Sequence, residues 1–293
     1  MSLSQSNTGL FLALGGALAY CGFSIGVRFF VGDLTIWGIL FLRGCLGVTL
    51  AALVARRLKK ALWGRNKLLL AGIGLSGFLS SVCTTTAISR IPLYQALVLL
   101  YLYPALSLLL AAPLNREPVT LRDSLLIATA LTGCAILIWP NEAVGLALEI
   151  GHLIGLTGSF LFSLSSVLTR RLKEDNSGLE PIFHYSLHSV VWVLPLTFLF
   201  GTELGVSGGL WAGLGLGLLG VLAQLMCFAA LRWLPACRVG VIGSLEVFGA
   251  ALASWLLFND PMSQRSLFGG ALIILVVLIL NRAPAVEART AGC

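Results

Sequence analysis

Charge is scarce in this chain. Only 11% of its 293 residues are Asp, Glu, Lys or Arg, against 58% that are hydrophobic, whereas a soluble domain carries about 25% charged residues. A chain this apolar would expose wide greasy patches in water, which excludes a water-soluble globule and makes the bilayer its natural solvent. Histidine is rarer still, with 3 residues. His184 and His188 have the i, i+4 spacing of a metal pair, but no third ligand lies near them, so packing or a polar rim is the expected role. Seven cysteines are present, six of them inside apolar runs and none in a C-x-x-C pattern. They read as buried reduced thiols acting as small hydrophobes. No metal or cofactor is expected. There is no P-loop, no H-E-x-x-H and no pair of acids within the apolar runs, which argues against ATP drive and against an intramembrane enzyme. The net charge of +7 does not indicate nucleic acid, because the basic residues sit in short loops and form no continuous stripe.

Apolar runs and glycine are abundant. The 33 Gly suit helices that approach closely in lipid. A membrane helix needs about 20 mainly apolar residues, and this spacing predicts spans at 9–30, 34–55, 68–89, 92–113, 122–140, 151–171, 181–201, 208–231, 235–258 and 265–281. Residues 1–8 hold no Lys or Arg, so the first run reads as a span and not as a cleaved signal peptide. Of the 19 basic residues, 14 fall in one set of loops and only Arg28, Arg90 and Arg265 in the other, with Arg43 and Arg238 inside spans. The rule that basic loops stay inside then predicts cytoplasmic N- and C-termini.

The chain repeats itself at a single gapless offset of 143 residues. Gly72, Gly74 and Gly77 recur as Gly215, Gly217 and Gly220. Ala87 becomes Ala230, Pro92 becomes Pro235, Glu117-Pro118 becomes Asp260-Pro261, and Thr120 becomes Ser263. Gly15, Leu18 and Arg28 become Gly158, Leu161 and Arg171. The expected fold is therefore an all-α membrane protein of ten transmembrane helices in two five-helix repeats, residues 1–140 and 141–293. Because five is odd, the second copy enters the membrane from the opposite side, and the repeats are inverted. Inverted repeats are a transporter signature, with the site near mid-membrane where the halves meet.

An ordered set of motifs carries a family resemblance along nearly the whole chain. It comprises Ala87 to Pro92, a span with Pro104 closing on Glu117, a Gly-containing span from Arg122 to Pro140, and the second copy from Ala230 through Pro235 to Asp260. With these the chain resembles the drug/metabolite transporter superfamily, of the EamA type. That resemblance implies a ten-helix secondary transporter of the bacterial inner membrane. Within the family the chain is similar to exporters of aromatic and other neutral amino acids, which implies efflux to the periplasm. Drugs, nucleobases or sugars are the alternative cargo, and a scaffold role lies outside transport. Such a protein would need membrane lipid and a small-molecule substrate as partners, with protons as a coupling ion. It holds both halves in one chain and would work as a monomer.

The candidate site residues lie where the copies differ. Glu246 stands where the first copy has Tyr103, and Val247 where it has Pro104. A carboxylate inside a span costs roughly 2.5–3.5 kcal/mol on insertion scales, so Glu246 either binds a substrate ammonium, exchanges a proton, or serves as structural partner to an Arg. Arg43 either neutralises Glu246, holds a substrate carboxylate with its planar fork, or clamps helix carbonyls. Pro104 frees the carbonyl of Leu100, and either such carbonyls line a cavity that holds a polar ligand or the proline is a passive kink or gate hinge. Tyr101 and Tyr103, two residues apart, cannot share a face of an ideal helix unless the proline distorts the turn. Tyr20, its repeat partner Ser163 and the nearby Phe160 would suit amino-acid side chains, with core packing as the alternative. Gln224 and Ser244 are polar and deep, where bonding between helices is the default.

Overall fold

The structure, a computed structural model, describes residues 3–31, 33–64, 66–115, 120–139, 149–172, 179–205, 209–230, 239, 242, 243, 245–260 and 263–282. Among these residues it is helical throughout, with no strand. The helices are α1 (Leu3–Phe30), α2 (Ile36–Leu58), α3 (Lys67–Arg90), α4 (Leu93–Leu100), α5 (Tyr103–Asn115), α6 (Leu121–Ile138), α7 (Ile150–Arg171), α8 (Leu179–Leu199), α9 (Leu210–Ala230), α10 (Leu245–Leu256) and α11 (Gln264–Arg282). Every expected span contains helix, the fourth as the two pieces α4 and α5. Among the described residues, seven spans are long and apolar enough to cross a membrane, and α10 and α11 contain shorter apolar helices.

The joints contain the residues that stop and start helices. Thr35 accepts from the Gly38 amide at the start of α2, and Asn66 accepts from the Leu69 amide at the start of α3. Each satisfies an amide that the helix itself leaves unpaired. Thr120 accepts from the Asp123 amide at the start of α6, and Ser263 accepts from the Ser266 amide at the start of α11. These two caps stand 143 residues apart, so the repeat preserves the cap as well as the residue type. Large apolar side chains cover the outside, Phe198, Leu68 and Trp211 among them, each more than four-fifths exposed. In water this would be a liability; against lipid it is the expected surface.

Packing runs mainly between the halves. α1 packs on α9 and α3 on α7, α2 on α8, α6 on α11, with α2 also on α9 and α3 on α8. Small residues make these contacts close. A Cβ at Gly16 would meet the Ala223 carbonyl, and one at Gly158 would meet Cys83. Gly15 faces Met226 while Gly158 faces Cys83, so exchanging the halves at the 143 offset turns one contact into the other. Not every repeated glycine is a contact point. Gly217, Gly220, Gly74 and Gly77 are crowded, but a Cβ on Gly215 would have nothing within 4 Å, so its recurrence has no packing explanation.

The tightest approach is between α6 and α11. A Cβ on Gly133 would lie 2.8 Å from the Gly269 carbonyl, and one on Gly269 would lie 2.6 Å from the Leu137 amide nitrogen. Those neighbours are backbone and cannot rotate away. Gly133→Val is therefore expected to destabilise by about 1–3 kcal/mol, read as a lower melting temperature in detergent, whereas Gly215→Ala should leave it unchanged. Equal losses from both would contradict this account of the packing.

Candidate functional site

The fourth span breaks at Tyr101 and Leu102, between α4 and α5. Pro104, in the first turn of α5, cannot donate back to the Leu100 carbonyl. That carbonyl is not left open to a cavity. It accepts from the Ser159 hydroxyl at 3.2 Å, while the Tyr103 carbonyl accepts from Ser163 at 2.9 Å. Both serines are fully buried on α7. Helix α7 thus supplies the donors that water cannot supply in lipid, as a serine clasp on the broken span. The break also changes the tyrosines. The rings of Tyr101 and Tyr103 meet edge to face with centroids 6.2 Å apart, because no ideal helix connects them. Tyr103 packs in turn on Phe162, at 4.7 Å.

Glu246 lies in the first turn of α10, where the helix dipole favours negative charge. Its carboxylate is buried and held by hydroxyls from the first half. Ser24 of α1 donates to Oε1 at 2.9 Å, and the Tyr101 hydroxyl stands 3.1 Å from Oε2. Tyr101 also reaches the Gly243 carbonyl at 2.5 Å. One hydroxyl proton faces two acceptors here, and the shorter contact belongs to the carbonyl. Tyr20, half-buried, lies within electrostatic reach of Glu246 and Arg43.

Arg43 is buried on α2, with 7% of its surface exposed. Its guanidinium sits over the Phe23 ring at 4.8 Å and the Tyr185 ring at 5.4 Å. Gly220 of α9 leaves room for it, since a Cβ there would come within 3.1 Å of Nε, while Gly217 lets α9 approach the Arg43 backbone. Arg43 and Glu246 make no ion pair within 4 Å; the salt bridge among the described residues joins Arg28 to Asp260. Nor does Arg43 clamp a carbonyl through Nε, which has no partner there. Each ring contributes about 0.5–2 kcal/mol, less than the several kcal/mol of burying an uncompensated ion.

A second polar cluster joins the ends of α1, α3, α4 and α10. Arg28 donates to the Ile88 carbonyl at 2.8 Å and approaches Asp260 at 3.4 Å. Asp260 accepts from the Leu93 amide, and Ser254 from the Tyr94 amide. Residues of the second half thus cap α4 of the first, where Pro92 provides no side-chain cap. The offset matches Arg28 and Asp260 to Arg171 and Glu117, the latter outside the described residues.

The remaining candidates are not gathered at this site. Phe160 is 45% exposed on α7, Gln224 is half-buried on α9, and Ser244 lies outside the described residues. His188 bonds the His184 carbonyl, and both pack against Gly74, in line with the packing role expected of them. Ser24, Phe23 and Tyr185 were not singled out from the sequence, since one serine or one ring in an apolar run carries no signal of its own. Gly205 to Gly209, between α8 and α9, spells G-x-S-x-G, and its middle three residues lie outside the described residues.

Removing the Tyr101 hydroxyl leaves the Gly243 carbonyl and Glu246 short of a donor in a region without water. Tyr101→Phe should therefore cost about 1–3 kcal/mol, seen as a lower melting temperature in detergent. An unchanged value would mean these contacts are not formed.

Comparison with known proteins gives a consistent result. The EamA-like transporter family model matches residues 7–139 and again 149–282. The pseudopaline exporter CntI of Pseudomonas aeruginosa is 24% identical over 285 residues, 96% of this chain and 99% of that one. An uncharacterized transporter of Archaeoglobus fulgidus is 25% identical over 220 residues, 75% of this chain and 78% of its own. A crystal structure superposes with a TM-score of 0.57 at 20% identity, covering 96% of this chain and 99% of the other, which speaks to the fold alone. The chain belongs to the EamA-like transporter family and is an integral inner-membrane protein.

Proposed function

We propose that this EamA-like transporter is a secondary exporter of amino acids, aromatic and other neutral ones, or of closely related metabolites, and that it works by alternating access as a monomer. Ten spans in two inverted five-helix halves, residues 1–140 and 141–293, with both termini cytoplasmic, make up the machine. The exchange of helix partners at the 143 offset supports that arrangement, and two similar units of opposite orientation give inward- and outward-open states of comparable energy. The observation that carries the reading is Glu246: a carboxyl buried where the halves meet, held by Ser24 and Tyr101 and lacking a direct counter-ion among the described residues. Intramembrane ionisable groups of this kind mark substrate and proton pathways.

In this reading Glu246 receives the cargo's ammonium or carries a proton back. Tyr20, Cys21, Tyr101 and Cys227 are the titratable groups around it, and Arg43 is the permanent charge. With the Tyr101 proton given to Gly243, a proton on the carboxyl itself would complete the chain of bonds. Arg28 and Asp260 close the periplasmic side, and Arg171 with Glu117 are their counterparts for the cytoplasmic side. The relation to the pseudopaline exporter supports a second reading, in which the cargo is a larger metabolite of that kind.

The test is counterflow in proteoliposomes with labelled amino acids. Uptake against unlabelled internal amino acid is expected, and its absence for every amino acid sinks the cargo assignment. Glu246→Gln should reduce the rate at least tenfold and flatten its pH dependence. A variant with unchanged rate and pH profile removes Glu246 from the mechanism.

A further inference from the structure

We propose that a groove between α6 and α11 holds one anionic phospholipid, its phosphodiester on Arg265 and an acyl chain along Trp139, Ile136 and Ala135. The inference does not depend on the cargo. The groove measures about 490 Å³, and among the described residues it is lined by Thr132, Ala135 and Ile136 of α6, Trp139 at its end, and Arg265 in the first turn of α11. The first four recur at three- and four-residue steps and share one face of the helix. From Trp139 the groove runs about 10 Å along α6 to Thr132. Thr132, Ala135, Trp139 and Arg265 are all exposed, so it opens toward lipid. Its wall is apolar, since the Thr132 hydroxyl donates to the Ala128 carbonyl at 2.9 Å within its own helix. An acyl chain suits such a wall in a bilayer.

Arg265 supplies the charge. The salt bridge among the described residues is Arg28 to Asp260, so Arg265 has no acid of its own there. An indole and an arginine at one end of a span lie at headgroup depth. The planar fork of arginine pairs with a phosphodiester through two parallel bonds. The groove is also held in shape. Beside it α6 and α11 touch at Gly133 and Gly269, and Ser266 donates to the Leu137 carbonyl at 3.4 Å.

The repeat separates the groove from the charge. The offset of 143 takes Arg122 to Arg265, so an arginine at this helix start belongs to both halves. The residues that shape the groove do not. Thr132, Ala135 and Ile136 become Leu275, Leu278 and Ile279, and Trp139 becomes Arg282. Two small side chains and an indole thus stand beside the arginine at one end of the bundle, and two leucines and a second cation at the other. The site is the combination and not the arginine alone.

The experiment follows the melting temperature of the full-length protein in detergent as a lipid is added. Dioleoyl phosphatidylglycerol should raise it. Dioleoyl phosphatidylcholine, short-chain dihexanoyl phosphatidylglycerol and inorganic phosphate should raise it less or not at all. Arg265→Gln should increase the phosphatidylglycerol concentration needed for half the effect by about fivefold or more. Ala135→Phe, which fills the groove and keeps the charge, should do the same. Arg90→Gln removes an exposed arginine at the same end that does not line the groove, and should change nothing. No stabilisation by phosphatidylglycerol, or equal stabilisation by the two long-chain lipids, overturns the proposal. Equal stabilisation by inorganic phosphate shows an ion site without a lipid and overturns it too. If Arg90→Gln weakens the response as much as Arg265→Gln, the effect is diffuse surface charge and the site is refuted. Should Arg265→Gln not fold, Ala135→Phe decides alone: an unaltered response overturns the groove as the site.

Discussion

Inside a bilayer every polar group must find its partner within the protein, and that constraint arranges this structure. Water is not available to the Leu100 carbonyl freed by Pro104, so Ser159 of α7 serves it. The first amides of α4 have no side chain of their own half to accept them, so Asp260 and Ser254 reach across. Glu246 is held by two hydroxyls. Against this near-complete pairing the bare Nε of Arg43 stands out. The rings of Phe23 and Tyr185 lie against its guanidinium instead.

The same constraint explains why the halves are joined as they are. Because apolar side chains gain little from burial against one another in lipid, helices associate through close packing and hydrogen bonds. The glycines of α1 face α9 and those of α7 face α3, and the polar bridges at Arg28 to Asp260 and Ser24 to Glu246 run from one half to the other. These bridges add to the close helix packing that already runs mainly between the halves.

Much of the fold was legible in the sequence, because length and hydropathy are the signal a bilayer imposes. The caps at Thr120 and Ser263 and the exchange of Gly15–Met226 for Gly158–Cys83 follow from the 143-residue offset. The site was legible only in part. Glu246 and Arg43 declared themselves as charges in apolar runs, and Tyr101 as a polar ring beside a proline. What the sequence could not convey is direction. Tyr101 and Tyr103 touch because the helix breaks between them, Ser163 faces a carbonyl of α5, and Phe160, one turn away on the same helix, is exposed. Ser24, Phe23 and Tyr185 matter only through what they face, and a single residue in an apolar run does not say what it faces.

The most direct test of the account is a structure determined in lipid nanodiscs at a saturating concentration of a transported amino acid. The account predicts ligand density at Glu246, with the amino group toward its carboxyl, Ser24 and Tyr101. A ligand bound away from Glu246 would contradict it.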